Sequence, residues 1–371
     1  MEIPFVDLKS QYLEIQGEIE SSILNVLNNA SFIGGAEHSK FSENLSDLLG
    51  VKNSILVANG TDAIYASLKM LGIGAGDEVI TTAHSWISTS ETISQCGATP
   101  IFIDTNQYNC IDVNKIETAI TEKTKAIIPV HLYGHPADMT SIMNLAERHG
   151  LYVIEDCAQA ILTKWNNQFV GTFGSSGTIS FFPGKNLGAY GDAGGIITND
   201  DDFAIKLKRY TNHGSLVKHE HEIEGINSRM DNIQAAVLNV KVKYLNDWIF
   251  SRREAAHYYD KLLSDLVEVE TPKTHPNAYH TYHLYVIKVD KNYRDFLQKF
   301  LESKGIATGI HYPKALPELN CYKYLNLDMK RFPNAIQSCN QILSLPIYPE
   351  INEEQIKYGV DQIKNYFLNH R

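Results

Sequence analysis

From about residue 50 to 200 the chain alternates short β-branched runs with helical patterns, and that alternation leaves few folds open. Ser54-Ile55-Leu56-Val57-Ala58 reads as a strand, followed by a helix with Ala63, Ile64, Ser67, Leu68 and Leu71 on its inner face. Further strands are expected at Glu78-Val79-Ile80-Thr81, Pro100-Ile101-Phe102-Ile103-Asp104, Ala126-Ile127-Ile128-Pro129-Val130 and Tyr152-Val153-Ile154-Glu155-Asp156. Helices are expected from about Ile87, near 113–121 and over about 138–148. This spacing predicts an α/β fold with a mainly parallel sheet covered on both faces. Ligands then sit beyond the carboxyl ends of the strands, where Asp156 lies. A long helical pattern from about 231 to 262 runs through Gln234-Ala235-Ala236, Leu238 and Tyr244 into Arg252-Arg253-Glu254. Past it come shorter segments such as His283-Leu284-Tyr285-Val286-Ile287-Lys288-Val289, with helices around 293–304 and 352–367. The expected division is a large α/β domain over 1–245 and a smaller α+β domain over 246–371.

Composition narrows the function classes. The net charge is −10 with no basic tract, which argues against nucleic acid or an anionic membrane as partner. No stretch reaches the ~18 apolar residues of a membrane helix. Met1-Glu2-Ile3-Pro4-Phe5-Val6-Asp7 lacks the basic start and apolar run of a signal peptide, so a cytoplasmic protein is expected. Cys96, Cys110, Cys157, Cys321 and Cys339 are widely spaced and form no C-x-x-C pair. They suit reduced cytosolic thiols, with no disulfide framework and no metal site.

Lys185 is the residue with the most chemistry. It follows an expected strand, Thr178-Ile179-Ser180-Phe181-Phe182, inside the glycine-rich run from Pro183-Gly184 to Gly194-Gly195. Upstream, the strand ending at Asp156 leads to Gln159. A strand-end lysine downstream of a strand-end Asp is what a pyridoxal phosphate (PLP) enzyme needs. The lysine forms a Schiff base with the cofactor aldehyde, and the acid keeps the pyridine nitrogen protonated so that the ring is an electron sink. The plain alternative is a solvated surface lysine.

Other segments admit two readings each. Asn59-Gly60-Thr61-Asp62-Ala63 joins a strand to a helix, so its amides and the Thr61 hydroxyl form a phosphate site. Equally, Thr61 or Asp62 could serve there as a plain N-cap. Trp86, in Ala83-His84-Ser85-Trp86-Ile87-Ser88-Thr89, could stack on a cofactor ring or be a buried structural residue. Ser180 is a second phosphate donor. His131 and His135 are poorly matched to carboxylates and are read as pocket or core residues. Gly72-Ile73-Gly74-Ala75-Gly76-Asp77 lacks the third glycine of a dinucleotide fingerprint, and Asn186 follows Lys185 where a Walker A loop needs Ser or Thr.

Taken in order, several segments resemble the DegT/DnrJ/EryC1/StrS sugar aminotransferases along nearly the whole chain. They are Ile3-Pro4-Phe5-Val6-Asp7-Leu8, the Asn59–Ala63 run, Val130-His131-Leu132-Tyr133-Gly134, Glu155-Asp156-Cys157-Ala158-Gln159 and Ser180-Phe181 through Gly195. Asn227-Ser228-Arg229-Met230-Asp231 with Gln234-Ala235-Ala236, and His311-Tyr312-Pro313, complete the set. The resemblance implies a fold-type I PLP enzyme that works as a homodimer. It implies Lys185 as the Schiff-base lysine, Asp156 on the pyridine nitrogen, Gln159 on the ring hydroxyl side and Trp86 on the ring face. Gly60, Thr61 and Ser180 would hold the phosphate, joined by Asn227 of the other subunit. Arg229, His311 and Tyr312 would contact a nucleotide-linked keto-sugar, with L-glutamate as amino donor. Lys185 speaks against the family's dehydratases, which carry histidine there. Ala160-Ile161-Leu162-Thr163-Lys164 departs from the small-residue segment common in relatives and is expected to reshape the pocket wall. The run Phe182–Gly194, with His213-Gly214-Ser215 and His219-Glu220, resembles the branch acting at sugar C-3 of dTDP-3-oxo-6-deoxyhexoses. UDP-linked 3-oxo sugars and 4-oxo sugars rank behind it.

Overall fold

The computed structural model describes residues 1–369. Seven strands build the central sheet: β1 (Asn53–Val57), β2 (Glu78–Thr82), β3 (Thr99–Ile103), β4 (Thr124–Ile128), β5 (Tyr152–Asp156), β6 (Ser176–Ser180) and β7 (Gly194–Thr198). Across the sheet the order is β1-β7-β6-β5-β4-β2-β3. Only β7 runs antiparallel, to β6 on one side and β1 on the other. Pro100 is accommodated because β3 is an edge strand, where a missing N–H costs no ladder bond.

Both faces of the sheet are covered, which is why most of its strands are buried at nearly every position rather than at alternate ones. Ahead of the sheet come α1 (Leu8–Glu14), α2 (Gln16–Asn28) and α3 (Ala36–Leu49). On one face α4 (Gly60–Met70) and α5 (Ser88–Gln95) bring Ile64, Leu68 and Ile93 onto Val79, Ala126, Ile128 and Ile154. On the other, α6 (Met139–His149) sets Ile142 and Leu145 against Ile80, Ile127 and Val153. Burying each such side chain stabilises the fold by about 2 kcal/mol. α7 (Asp201–Thr211) packs beside α4, and α8 (Asn232–Lys241) lies against α2 and α3.

Beyond α8, α9 (Leu245–Leu263) leads to a three-stranded antiparallel sheet of β8 (Val269–Glu270), β9 (Tyr285–Val289) and β10 (Ile342–Leu345). With α10 (Lys291–Ser303), α11 (Pro333–Gln341) and α12 (Glu353–Leu368) it forms the C-terminal part of the chain. The core of this part joins Ala256, Tyr259, Tyr285, Ile287, Leu297, Leu301, Val360 and Ile363. Among the described residues no helix is long and apolar enough to cross a membrane.

Three expectations need correction. The helix near 113–121 is two 3₁₀ turns, Val113–Lys115 and Glu117–Ala119, in a segment crowded with the β-branched Val113, Ile116, Thr118 and Ile120. The helical pattern over 231–262 is broken at Val242–Tyr244 by another such turn. The strand before Lys185 stops at Ser180, since Phe182 turns its carbonyl back to accept from the Lys185 amide at 2.8 Å.

Candidate active site

Lys185 lies in the excursion that leaves β6 and returns as β7. The Ala189 amide donates to the Phe181 carbonyl at 2.8 Å, so the chain doubles back within a few residues. Gly188 permits this, because a Cβ there would stand 2.2 Å from the Pro183 carbonyl oxygen. The lysine is half-buried. Desolvation pulls its amine down from the ordinary lysine range to about 8, against the opposing pull of the Asp156 carboxylate. Asn186, next along, reaches the C-terminal part: its Nδ2 donates to the Thr281 carbonyl at 3.3 Å, and its Oδ1 lies 3.3 Å from His283 Nδ1.

Asp156, buried at the end of β5, accepts from Thr89 Oγ1 at 2.7 Å and from the Ala158 amide at 3.1 Å. The Ser85 and Thr89 hydroxyls are 3.0 Å apart. A carboxylate only accepts, so Thr89 donates to Asp156 and accepts from Ser85. Gln159 is fixed at both ends of its amide: Oε1 accepts from the Tyr133 amide at 2.7 Å, and Nε2 donates to the Tyr312 hydroxyl at 3.1 Å. The Tyr312 amide donates to His84 Nε2 at 3.0 Å, and Trp86 lies 5.4 Å from the Tyr312 ring. The Tyr133 hydroxyl donates to the His311 carbonyl. His311 stacks on Phe5 at 5.4 Å and places Nδ1 2.9 Å from Ser344 Oγ. Burial holds the His84 and His311 imidazoles down to about 4, with Lys185 adding to the effect at His311. Both rings are therefore neutral at pH 7.

Gly60 opens α4 directly against Ser180: a Cβ on Gly60 would stand 2.8 Å from the Ser180 Cβ. The N-cap is Asn59, which takes the Asp62 amide at 2.8 Å, and neither Thr61 nor Asp62 fills that role. The amides of Gly60 and Thr61 have no acceptor among the described residues, and the Thr61 hydroxyl lies 2.7 Å from Ser88 Oγ. Free amides at the positive end of a helix, with hydroxyls beside them, suit a phosphate. An amine with a depressed pKa and a buried, hydrogen-bonded carboxylate electrostatically coupled to it suit the rest of pyridoxal phosphate.

The structure thus gathers Lys185, Asp156, Gln159, Tyr312, His311, Gly60, Thr61, Ser180 and Trp86 into connected surroundings. Trp86 is 58% exposed, so it is no buried structural tryptophan. Asn227 and Arg229 stand apart within one chain. Asn227 is exposed and bridges to Asn212, whose Oδ1 also accepts from Arg229 at 3.2 Å. Ile161 and Leu162 are buried in the cluster that holds Phe181 and Leu187. His131 also needs correction, for it is well matched to a carboxylate. Its Nε2 lies 3.2 Å from Glu155 Oε2, while its Nδ1 accepts from the Ala137 amide at 3.0 Å. Glu155 further accepts the amides of Gly171, Phe173 and Gly174 at 2.6, 2.8 and 2.9 Å. Both ring nitrogens and both oxygens are engaged, so the cluster with Cys157 is a structural brace for the strand that ends at Asp156. Thr89 and Tyr133 escaped the reading of the sequence. The available signal for Thr89 was its place in the first turn of the helix after Trp86.

Comparison with known proteins agrees with this geometry. The DegT/DnrJ/EryC1/StrS aminotransferase family matches residues 13–364. A pleiotropic regulatory protein of Geobacillus stearothermophilus is 44% identical, over 99% of each chain. A UDP-N-acetyl-3-dehydro-alpha-D-glucosamine 3-aminotransferase of Acidithiobacillus ferrooxidans is 41% identical, over 95% of each. A dTDP-3-amino-3,6-dideoxy-alpha-D-galactopyranose transaminase of Aneurinibacillus thermoaerophilus is 40% identical, over 98% of this chain and 99% of its own. The crystal structure of S. venezuelae DesV superposes with a TM-score of 0.95 at 36% identity, covering 98% of each chain. A chain with this fold, a lysine and an aspartate at the same sheet edge and a family match along nearly its whole length is a pyridoxal phosphate-dependent enzyme and belongs to the DegT/DnrJ/EryC1/StrS aminotransferase family.

Proposed function

We propose that this aminotransferase moves an amino group from L-glutamate to C-3 of a dTDP-3-oxo-6-deoxyhexose, in nucleotide amino-sugar biosynthesis. The observation that carries the reading is the Lys185 amine, drawn to about 8 by burial beside Asp156. Bound pyridoxal phosphate supplies an electron sink for the carbon that loses its proton. Lys185 would hold the cofactor through Nζ and, when that amine is free, would carry a proton between the donor Cα and the cofactor side. Asp156, which accepts from Thr89 and the Ala158 amide, would face the ring nitrogen. Gln159, locked by Tyr133 and Tyr312, would contact the ring hydroxyl side, and Trp86 would cover a ring face. Gly60, Thr61 and Ser180 would hold the phosphate, with Asn227 of a second copy completing it, so the working unit is a homodimer; the enzyme works in the cytoplasm. Arg229, His311 and Tyr312 contact the nucleotide-sugar. The large unit spans 1–245 and the small one 246–371.

The dTDP-linked transaminase among the relatives supports the sugar, and the UDP-linked 3-aminotransferase supports the alternative of a UDP-linked 3-oxo sugar. A 4-oxo sugar ranks third. The relative named a regulatory protein raises a non-catalytic reading, against which Lys185, Asp156 and Gln159 all stand intact. The test is a half-reaction of the cofactor-loaded protein with a dTDP-3-amino-3,6-dideoxyhexose. Conversion of the lysine-linked absorbance band to that of pyridoxamine phosphate is expected. Bleaching by glutamate alone would retain the transaminase and reject the dTDP C-3 sugar. A Lys185→Ala protein that still transaminates would overturn the assignment.

A further inference from the structure

α8 grips the Lys185 excursion at two points. The Gln234 Oε1 accepts from the Tyr190 amide at 2.9 Å. At the far end of the helix Lys241, 0% exposed, donates from Nζ to the Gly188 carbonyl at 2.7 Å and sits 4.3 Å above the Tyr190 ring. A fully buried ammonium costs several kcal/mol unless a countercharge and hydrogen bonds offset it. Among the described residues no carboxylate forms an ion pair with Lys241 within 4.0 Å. Burial accordingly pulls its amine down to about 8, and the charge that opposes this is Glu350. Glu350 follows β10, in the C-terminal part. Arg252 of α9 and Glu14 of α1 also act electrostatically on Glu350. Arg252 in turn donates to the carbonyls of Tyr282, His283 and Ile347 at 3.4, 3.4 and 3.0 Å. The proposed chemistry makes no use of Lys241. Its hydrogen bond goes to the turn that carries Lys185, three positions away along the chain.

We infer that Lys241 is a positioning residue for Lys185: its ammonium, with Glu350 as countercharge from the C-terminal part, pins the Gly188 carbonyl and holds the excursion in the turn from which the Lys185 amine reaches the cofactor aldehyde. The inference rests on Lys185 being the linking lysine. Linking is a condensation in which Nζ bonds to the aldehyde carbon, the oxygen leaves as water and the amine protons leave with it. Fixing the turn speeds that step without touching the phosphate site, because positioning acts on the reacting amine alone.

Full-length Lys241→Met and Glu350→Gln proteins, freed of cofactor, test this with two measurements. One is the rate at which the lysine-linked absorbance forms on adding pyridoxal phosphate. The other is the equilibrium affinity for pyridoxamine phosphate, which has no aldehyde and cannot link. Losing a charged hydrogen bond should slow linking about tenfold in Lys241→Met, with the pyridoxamine phosphate affinity unchanged. Glu350→Gln should slow it in the same sense and by less. Linking at the unmodified rate in both variants overturns the inference. A parallel fall in rate and affinity does so too, since a merely structural role lowers both. If Lys241→Met does not fold, the Glu350→Gln rate decides. A Lys185→Ala control separates the two levels: a band that still forms there faults the Lys185 reading itself.

Discussion

Freed of its cofactor, the protein should capture pyridoxal phosphate fastest once Lys185 has lost its proton, and burial sets the pH at which that happens. With the amine at about 8, about one molecule in ten carries the reactive neutral form at pH 7. An unperturbed lysine, at 10.5, would offer about one in 3000. The desolvated site therefore holds about 300 times more nucleophile at neutral pH. Stopped-flow absorbance on mixing with pyridoxal phosphate, from about pH 6 to about pH 10, reads this directly. The rate should rise about tenfold per pH unit below 8 and level off above it. Asp156 favours the ammonium, so Asp156→Asn should move the midpoint lower still. Stability follows the same sign. The unfolded chain binds the extra proton between about 8 and 10.5, so the cofactor-free protein gains stability as pH rises through that window. A midpoint near 10, unmoved by Asp156→Asn, would refute the argument.

Three substitutions probe the surroundings. Gly60→Ala places a Cβ 2.8 Å from the Ser180 Cβ at the phosphate cradle, and should weaken pyridoxal phosphate binding at least about tenfold by equilibrium dialysis. Thr89→Val removes the 2.7 Å bond to Asp156 and should lower kcat by about tenfold, with recovery in Thr89→Ser. Unchanged turnover in the valine protein would show that Asp156 needs no such partner. Glu155→Gln turns one acceptor oxygen into a donor facing backbone amides, and should cost roughly 2–4 kcal/mol in urea unfolding while leaving the cofactor absorbance maximum in place.

The parallel sheet was legible because its strands are short β-branched runs separated by helical periods, each signal local in the chain. Asp156 was legible for the same reason, as a strand end at the ligand edge, and Lys185 by its place in the glycine-rich run that follows a strand. β7 was not: Gly194 and Gly195 carry no strand propensity, and their place is fixed by closeness to others. A Cβ on Gly194 would stand 2.3 Å from the Asn59 carbonyl carbon, a contact between distant parts of the chain. Thr89 and Lys241 were hidden likewise, since the partners that give them meaning, Asp156 and the Gly188 carbonyl, lie far off in sequence. Helix periodicity misled at 113–121, where the β-branched Val113, Ile116, Thr118 and Ile120 disfavour a continuous helix.

The pairing of β1 with β7 also dictates an order of events at the ribosome. Ser54–Val57 emerges early, yet the residues it pairs with, Gly194–Ile197, are made far later. At roughly 5–20 residues per second, several seconds pass with this strand edge bare and with the turn before α4 lacking the neighbour it will share at Ser180. Lys185 itself is translated inside that interval. A nascent chain stopped before β7 should therefore offer neither a closed phosphate cradle nor a braced lysine, and cofactor capture belongs to the chain's life after that strand has docked.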